Sequence, residues 1–196
     1  MASKKSRKSS ARSNRRSPSN AFALLQGDHR EVDAMLKQFE RARSNSKRAI
    51  AERICAALTV HAQIEEEIFY PSAREVLGPS DQDLLEEAKV EHASLKNLIG
   101  QIQSADDGDS EAFAAKVTVL GEYTKHHVKE EEKELFPKLR KAGLDATEVG
   151  ERLAARKQEL MGQRGEPDRT SVRTRRSESS GLLGRMASRL GATTSK

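Results

Sequence analysis

The sequence has 196 residues, of which 33% are charged and 4% are aromatic, with no tryptophan. This composition suits one helical domain with a polar surface and flanking segments, and it argues against a large β-sheet core. There is no apolar run of about eighteen residues and no apolar segment near the N-terminus. We therefore expect neither a membrane span nor a secretory signal.

The net charge of +5 is unevenly distributed along the chain. Residues 1–18 carry seven basic and no acidic residues, and residues 162–196 carry eight basic and three acidic ones. Residues 19–161 therefore have a net charge of −7. We expect an acidic folded core between two basic, disordered tails, because segments with so few large apolar residues cannot bury a core.

The first predicted helix covers about residues 20–43, and its apolar stripe contains His29. After a short turn, a second predicted helix covers about residues 47–77, with His61 and Glu65 on its apolar stripe. Inward-facing glutamates are rare unless they are paired, so this stripe already indicates a functional site.

Four further residues of the second helix carry separate expectations. Glu66 and Glu67 fall off the apolar stripe and are expected to face water, whereas Ile68 continues the stripe. Pro71 is expected to kink or end the helix, because proline removes one backbone hydrogen bond.

The third predicted helix begins after Gly78 and ends near Gln103. Ser80 and Asp83 have the spacing of a capping box, with aspartate in place of the usual glutamate. The apolar stripe of this helix contains His92, which is a third inward-facing histidine.

The fourth predicted helix covers about residues 110–140, and its stripe contains His127 and Glu131. His126 lies about 100° away from the stripe, so we interpret it as a flanking residue, although it forms an i,i+4 pair with Glu130.

A fifth helix is predicted over about residues 145–161, packed outside the bundle. In the tail beyond it, residues 182–190 have the pattern of a short basic amphipathic helix that would contact a partner or an anionic surface. A tail without structure is the alternative for that segment.

One sequence pattern occurs twice, as HAQIEEEIFYP at residues 61–71 and as HVKEEEKELFP at residues 127–137. Each copy places a histidine and a glutamate four residues apart, which puts both side chains on one face of a helix. A histidine and a carboxylate aimed at a common point are the donors that a helix offers to a metal ion. Two copies in matching context make a surface ion pair an unlikely explanation.

Four helices with short connections predict an all-α, up-down-up-down four-helix bundle. Its core would hold four imidazoles and two carboxylates: His29, His61, His92, His127, Glu65 and Glu131. Burying ionised carboxylates without compensation costs several kcal/mol each, and no lysine or arginine lies on the inner stripes. Two divalent ions would compensate for this charge, with iron favoured by the mixed imidazole and carboxylate donors.

These six residues resemble the haemerythrin family, in its bacterial HHE cation-binding branch, and the resemblance covers about residues 20–140. It implies a non-haem di-iron centre with carboxylate and oxo or hydroxo bridges. The oxygen-carrying members have a further histidine one turn after the third helix histidine, where this chain has Lys96. One iron would therefore have one protein ligand fewer, and Tyr123 is a candidate to reach the vacant position.

Two classes of function follow from this interpretation. The first is a binding protein that binds or senses O₂, NO or iron at an open position of the di-iron site. The alternative is a di-iron enzyme that consumes hydrogen peroxide or NO, with the metals as Lewis acids and redox centre. We prefer binding or sensing, because the sequence contains no recognisable substrate pocket or separate acid–base group.

The sequence also predicts an organisation and a location. We expect a basic leader at residues 1–18, the bundle at 19–143, an additional helix at 144–161 and a basic tail at 162–196. Non-specific contact of the tails with nucleic-acid phosphates is one hypothesis for them, and plain solubilisation is the other. The lone Cys55 is expected to be a small buried side chain, as suits a cytoplasmic protein without disulfides.

Overall fold

A computed structural model describes residues 20–106 and 110–165, and every regular element in these two ranges is helical. The predictions for the tails, including the amphipathic segment at residues 182–190, lie outside the described residues. Within the described ranges, no helix combines the length and the apolar character that crossing a membrane requires.

Seven α-helices follow one another along the described chain. They are α1 (Ala21–Arg41), α2 (Ser44–Ile64), α3 (Tyr70–Val76), α4 (Asp83–Gln103), α5 (Glu111–Glu130), α6 (Phe136–Ala142) and α7 (Ala146–Gly165). Short π-helical segments join α2 to α3 and α5 to α6, so that each pair forms one long helical rod. Helix α1 packs on α2 and α5, and α4 packs on the same two helices. This arrangement confirms the predicted all-α four-helix bundle.

The helix ends show where the capping signals in the sequence are used. Asn20 accepts a hydrogen bond from the Ala23 N–H at the start of α1, and Ser110 accepts one from the Phe113 N–H at the start of α5. Gly143 ends α6 in a left-handed conformation with φ of 82°, which favours glycine.

The predicted capping box at Ser80 and Asp83 is wrong. Helix α4 begins at Asp83 and has Gln82 as its N-cap residue, without a side-chain cap. Residues Pro79–Asp81 instead form a 3₁₀ turn. Ser80 lies within this turn, so it is not at the position that caps the helix.

The apolar core occupies both sides of a buried polar layer. On one side lie Leu36, Ile54, Leu95 and Phe113 with their neighbours in one continuous cluster. On the other side lie three buried phenylalanine rings, with centroid separations of 6.2, 5.1 and 5.6 Å among Phe22, Phe69 and Phe136. The polar layer is therefore closed by apolar side chains above and below.

The second long rod does not follow the expected helical phase. Residues Glu65–Phe69 form a π-helical turn in which the Tyr70 N–H bonds to the Glu65 carbonyl. Such a turn inserts one extra residue, so Ile68 is only half-buried and Phe69 takes the inner position. Pro71 does not end the helix, because it occupies the first turn of α3, where its missing N–H costs little.

Two compact units divide the described chain, with the first extending to Lys157 and the second beginning at Gln158. The first contains the bundle and the start of α7, which buries Val149 and Leu153 and whose Arg156 pairs with Glu67 at 2.7 Å. The second unit begins within α7, which continues to Gly165, four residues beyond the predicted end.

Candidate metal centre

The polar layer of the bundle contains the six side chains that the sequence singled out. His29 comes from α1, His61 from α2, His92 from α4 and His127 from α5, while Glu65 and Glu131 begin the two π-helical turns. None of the six is more than 6% exposed. The four helices therefore bring four imidazoles and two carboxylates together in a site shielded from water.

Short distances join these groups into two overlapping sets. The Nε2 atoms of His29 and His61 are 3.2 Å apart, and those of His92 and His127 are 3.1 Å apart. Glu65 Oε2 lies 3.2 Å from His61 Nε2 and 3.4 Å from His92 Nε2, so this carboxylate reaches both pairs.

Glu131 lies on the other side of the same centre. Its Oε2 is 3.4 Å from His29 Nε2 and 3.8 Å from His127 Nε2. One set of possible metal ligands comprises His29, His61, Glu65 and Glu131, and the other comprises Glu65, His92 and His127. The first set thus offers four donors and the second three, with Glu65 shared.

Each histidine turns Nε2 towards the centre and Nδ1 towards a carboxylate outside it. These outer partners are Glu132 for His29 at 2.8 Å, Glu66 for His92 at 3.0 Å, Glu91 for His127 at 2.8 Å and Asp28 for His61 at 3.6 Å. For His29, His92 and His127, the hydrogen-bonded carboxylate holds the proton on Nδ1 and leaves the Nε2 lone pair facing inwards, as in metal-binding histidines generally. Asp28 lies beyond hydrogen-bond distance of His61 Nδ1.

Glu66 does not face water as expected. Its carboxylate is half-buried, accepts a hydrogen bond from Lys96 Nζ at 2.7 Å and contacts His92 Nδ1. Burial alone would raise the pKa of Glu66, but the hydrogen bonds from Lys96 and His92 outweigh it and lower that pKa. Lys96 therefore acts on the centre indirectly, by holding the carboxylate that orients His92.

Three carboxylate oxygens of the centre lack hydrogen-bond partners within the described protein. Both carboxylate oxygens of Glu65, which is fully buried, and Oε2 of Glu131 have no hydrogen-bond partner. Two pairs of Nε2 atoms also face each other at 3.1 and 3.2 Å, where their lone pairs repel if each proton is on Nδ1. Cations placed among these atoms would satisfy the carboxylates and the lone pairs together, so the donor set fits a metal centre.

Without cations, the two buried carboxylates of the centre also have opposed pKa shifts. Burial, together with the charge of Glu131, raises the pKa of Glu65 well above its usual value. Burial would also raise the pKa of Glu131, but the charge of His127 and the contact with His29 outweigh it and lower that pKa to about 2. Burial lowers the pKa of His61 to about 4. Two carboxylates cannot both ionise cheaply here without cations.

Tyr70 is a site residue that the sequence interpretation missed. Its hydroxyl donates a hydrogen bond to Glu131 Oε1 at 3.0 Å and lies 3.3 Å from His92 Nε2. Burial, followed by the charges of Glu131 and Glu65, raises the pKa of this phenol well above its usual value, so the hydroxyl keeps its proton. The signal was present in the repeat, which has Tyr70 where the second copy has Phe136.

Tyr123, the residue expected to reach the centre, is 50% exposed and points to the surface. One turn before His127, the inward position belongs to Thr124, which is buried and donates its hydroxyl to the Leu120 carbonyl. The one-residue difference between Tyr123 and Thr124 rotates the side chain by about 100° and takes it away from the centre.

A second group of possible ligands lies at the surface beside the centre, and we call Glu91, His126 and Glu130 the outer cluster. His126 Nε2 is 3.1 Å from Glu130 Oε1 and 3.4 Å from Glu91 Oε1, and the His126 side chain is 62% exposed. Burial, followed by the negative charge of Glu91, raises the pKa of Glu130, and Glu87 and Glu134 add to the effect.

Comparison with known proteins agrees with this site. Residues 20–139 match the family model described as the Hemerythrin HHE cation binding domain, and the chain therefore belongs to the haemerythrin family. A DNA nickase from Nostoc sp. (strain PCC 7120 / SAG 25.82 / UTEX 2576) is 31% identical over 124 residues. That stretch is 62% of this chain and 34% of the relative, so the chain spans about a third of that protein's length. No solved structure matches the chain.

The family and the two ligand sets together define a metal-binding protein. Imidazole and carboxylate donors without a buried thiolate suit iron better than softer metals, so iron is the cation that the site favours.

Proposed function

We propose that the bundle binds two iron ions and uses an open position at this di-iron centre to bind or sense O₂, NO or iron itself. Glu65 and Glu131 would bridge the ions together with an oxo or hydroxo group, and His29, His61, His92 and His127 would be terminal ligands. The observation that carries this proposal is that Glu65 belongs to both ligand sets and has two buried oxygens without a hydrogen-bond partner.

Open positions follow from the number of donors. Six side chains cannot fill the coordination of two six-coordinate ions, even when both carboxylates bridge. Lys96 pairs with Glu66 at the position where oxygen carriers are expected to supply another histidine, so it adds no imidazole to the set. Bound iron would supply a redox-active Lewis acid with room for a small ligand.

The protein's own residues would control access to that ligand position. A small cavity beside the centre, with room for about one water molecule, is lined by histidines and by Val32, Leu58, Leu95 and Ile99. Asp28, Lys96 and Thr124 also line it. Because the cavity has room for only about one water molecule, a diatomic molecule would fit there and a larger substrate would not. A site of this kind suits diatomic ligands.

The alternative is a di-iron enzyme that consumes hydrogen peroxide or NO. The position of the Tyr70 hydroxyl supports this alternative. The hydroxyl oxygen lies 3.0 Å from Glu131 Oε1 and is buried at the centre. From there it would donate a hydrogen bond to a reacting oxygen and stabilise the negative charge that develops on it during peroxide cleavage.

The remaining parts of the chain add further elements to this proposal. We propose that the bundle occupies residues 19–143 between a basic leader at 1–18 and a basic tail at 162–196, and that the protein works in the cytoplasm with Cys55 as a free buried thiol. The tails would contact nucleic acid through phosphates without reading bases, a hypothesis to which the DNA nickase relative adds weak support.

Metal analysis of aerobically purified full-length protein tests the di-iron proposal. We expect about two irons per chain, loss of iron in His61→Ala and full retention in Tyr123→Phe, which is the surface control. Iron well below this ratio that does not change in His61→Ala refutes the site.

Optical spectra and turnover then separate the two functions. A binding protein should change its spectrum once on addition of O₂ or NO. An enzyme should turn over H₂O₂ or NO many times, with the turnover lost in Glu131→Ala. Many turnovers in the wild-type chain would replace the binding function by the enzymatic one.

A further inference from the structure

The outer cluster lies beside the metal centre and shares a residue with it. Glu91 Oε2 contacts His127 Nδ1 at 2.8 Å, while Glu91 Oε1 lies 3.4 Å from His126 Nε2. One carboxylate therefore links an exposed imidazole to a buried one. Between α4 and α5, a small cavity is lined by Glu91 and Glu130 at the outer side and by His127 and Glu131 at the inner side.

We infer that the outer cluster is a surface port where a divalent cation such as Fe²⁺ first binds before it passes between α4 and α5 to the inner centre. This inference rests on the proposed di-iron function, and it adds a third, transient cation site and a loading route.

The geometry of the outer cluster fits a first-row divalent ion. Its three ligand atoms lie within 4.8 Å of one another. For an ion about 2.1 Å from each donor, the separations of 3.1 and 3.4 Å from His126 to the two carboxylates correspond to ligand angles of about 95° and about 108°. Such angles suit octahedral or tetrahedral coordination, and the exposed His126 leaves the remaining positions to water.

A second observation points inwards from the cluster. Glu131, which is 2% exposed, lies on the wall of the α4–α5 cavity, and its Oε2 has no hydrogen-bond partner. The unsatisfied oxygen belongs to the inner centre, 3.4 Å from His29 Nε2, and the cavity that the outer cluster shares with Glu131 has room for about one water molecule. Carboxylates thus line the outer and the inner end of this cavity, with Leu84, Ala88 and Leu135 completing its wall.

The charge distribution distinguishes this route from the α1–α5 side of the bundle. There, a larger cavity of about 210 Å³ beside His29 is lined by three lysines and two acidic residues: Lys125, Lys129, Lys133, Asp33 and Glu132. The lysines outnumber the carboxylates on that side, whereas the outer cluster has two carboxylates in a region where Glu87 and Glu134 already act on Glu130. Cations should therefore arrive between α4 and α5.

Loading kinetics of the full-length apo protein test the port. The probe is anaerobic Co²⁺, followed by stopped-flow absorbance, in the wild type, in His126→Ala and in the control Glu134→Gln, which removes a nearby charge but no ligand. We expect His126→Ala to load on the order of tenfold more slowly, because the outer cluster loses one of its three donors while its carboxylates still attract cations. Its final occupancy and its melting temperature when loaded should equal those of the wild type.

Two outcomes overturn the port. If His126→Ala loads as fast as the wild type or no more slowly than Glu134→Gln, the cluster does not take part in uptake. If His126→Ala loses final occupancy, His126 belongs to the inner centre and the port assignment is wrong.

A Mn²⁺ titration by electron paramagnetic resonance tests the outer site separately from the inner one. In Glu65→Gln, which removes the carboxylate shared by both inner ligand sets, one weak Mn²⁺ site should remain at the outer cluster, and it should disappear in the Glu65→Gln/His126→Ala double variant. Circular dichroism confirms that both fold. A residual site that survives His126→Ala, or none in Glu65→Gln, refutes the outer cluster. A wild-type chain that holds no inner ions refutes the proposed function, and this titration still decides the outer site.

Discussion

Replacing Tyr70 by phenylalanine removes one oxygen atom from the metal centre and little else. The ring should fit, because Phe136 already occupies the same position of the second repeat and is fully buried. The lost hydroxyl donates to Glu131 Oε1 at 3.0 Å, and both residues are 2% exposed. The substitution therefore isolates one buried, charge-assisted hydrogen bond.

The expected cost depends on whether metal is bound. In the apo protein, Glu131 keeps its charge and loses a donor, so the free energy of unfolding should fall by about 1.5–3 kcal/mol, the range for hydrogen bonds to charged groups. This corresponds to a roughly 10- to 150-fold change in the folding equilibrium. When cations are bound, they balance the charge of Glu131. The free energy of unfolding should then fall by only about 0.5–1.5 kcal/mol.

Urea unfolding followed by far-UV circular dichroism, in chelator and in excess Co²⁺, measures both values. Tyr123→Phe is the matched control, because Tyr123 is 50% exposed and its variant should stay within about 0.5 kcal/mol of the wild type. The reasoning fails if the apo loss in Tyr70→Phe does not exceed that of the control. An equal loss with and without metal would show that the cations do not act on Glu131.

Four further predictions concern stability and reactivity. Removal of metal by a chelator should lower the melting temperature, since free ion at 100 times its dissociation constant stabilises the fold by about 2.7 kcal/mol; an unchanged melting temperature would contradict this. Burial raises the pKa of Cys55 to about 11, so a disulfide reagent at pH 8 should label native Cys55 only through unfolding, and more slowly when metal is bound. Because the folded state keeps this thiol protonated, its contribution to the free energy of unfolding is complete below about pH 8.5 and is lost as the pH rises through about 11. Measuring the free energy of unfolding at increasing pH checks this. Phe69→Ala should cost about 3–5 kcal/mol and the half-buried Ile68→Ala clearly less, and the reverse order in denaturant unfolding would contradict the π-helical phase.

The positions of the six central residues were predictable because they follow regular helical periodicity. His29 and His92 sit on apolar stripes of uninterrupted α-helices, and the spacing of three and four residues decides which face is buried. His61 with Glu65 needs only one further turn of the same helix. The sequence therefore sufficed wherever the inward direction depended on α-helical geometry alone.

The errors begin where the helix leaves that geometry. From Glu65 onwards the π-helical turn shifts the phase by one residue, so Phe69 replaces Ile68 in the core, and Tyr70 reaches the centre. The α-helical periodicity of a sequence does not reveal a backbone hydrogen bond from the N–H of residue i+5 to the carbonyl of residue i. The inward position of Tyr70 could therefore not be predicted. Glu66 was misplaced for another reason, because its inward contacts come from His92 and Lys96 on a different helix.

The two halves of the centre are unequal, because the matching π-helical turns are followed by different aromatic residues, Tyr70 and Phe136. In an α-helix, side chains five residues apart would point about 140° apart. The Tyr70 N–H bonds to the Glu65 carbonyl and the Phe136 N–H to the Glu131 carbonyl, which reduces this angle, and each ring is buried like its glutamate. The Phe136 ring stacks on His29 with a centroid separation of 6.3 Å, whereas the Tyr70 ring lies 5.4 Å from His92.

This inequality predicts two distinguishable metal positions. The two ligand sets offer four and three donors. The Tyr70 hydroxyl lies 3.3 Å from His92 Nε2, a donor nitrogen of the three-donor set, and in the four-donor set it contacts Glu131 through Oε1. Mössbauer spectra of ⁵⁷Fe-loaded protein should therefore show two iron environments in equal amounts. Because the hydroxyl lies beside an imidazole nitrogen of the three-donor set, Tyr70→Phe should change that environment more than the other, while Tyr123→Phe should change neither. A single environment in the wild type, or equal changes to both in Tyr70→Phe, would mean that the extra oxygen does not distinguish the two halves.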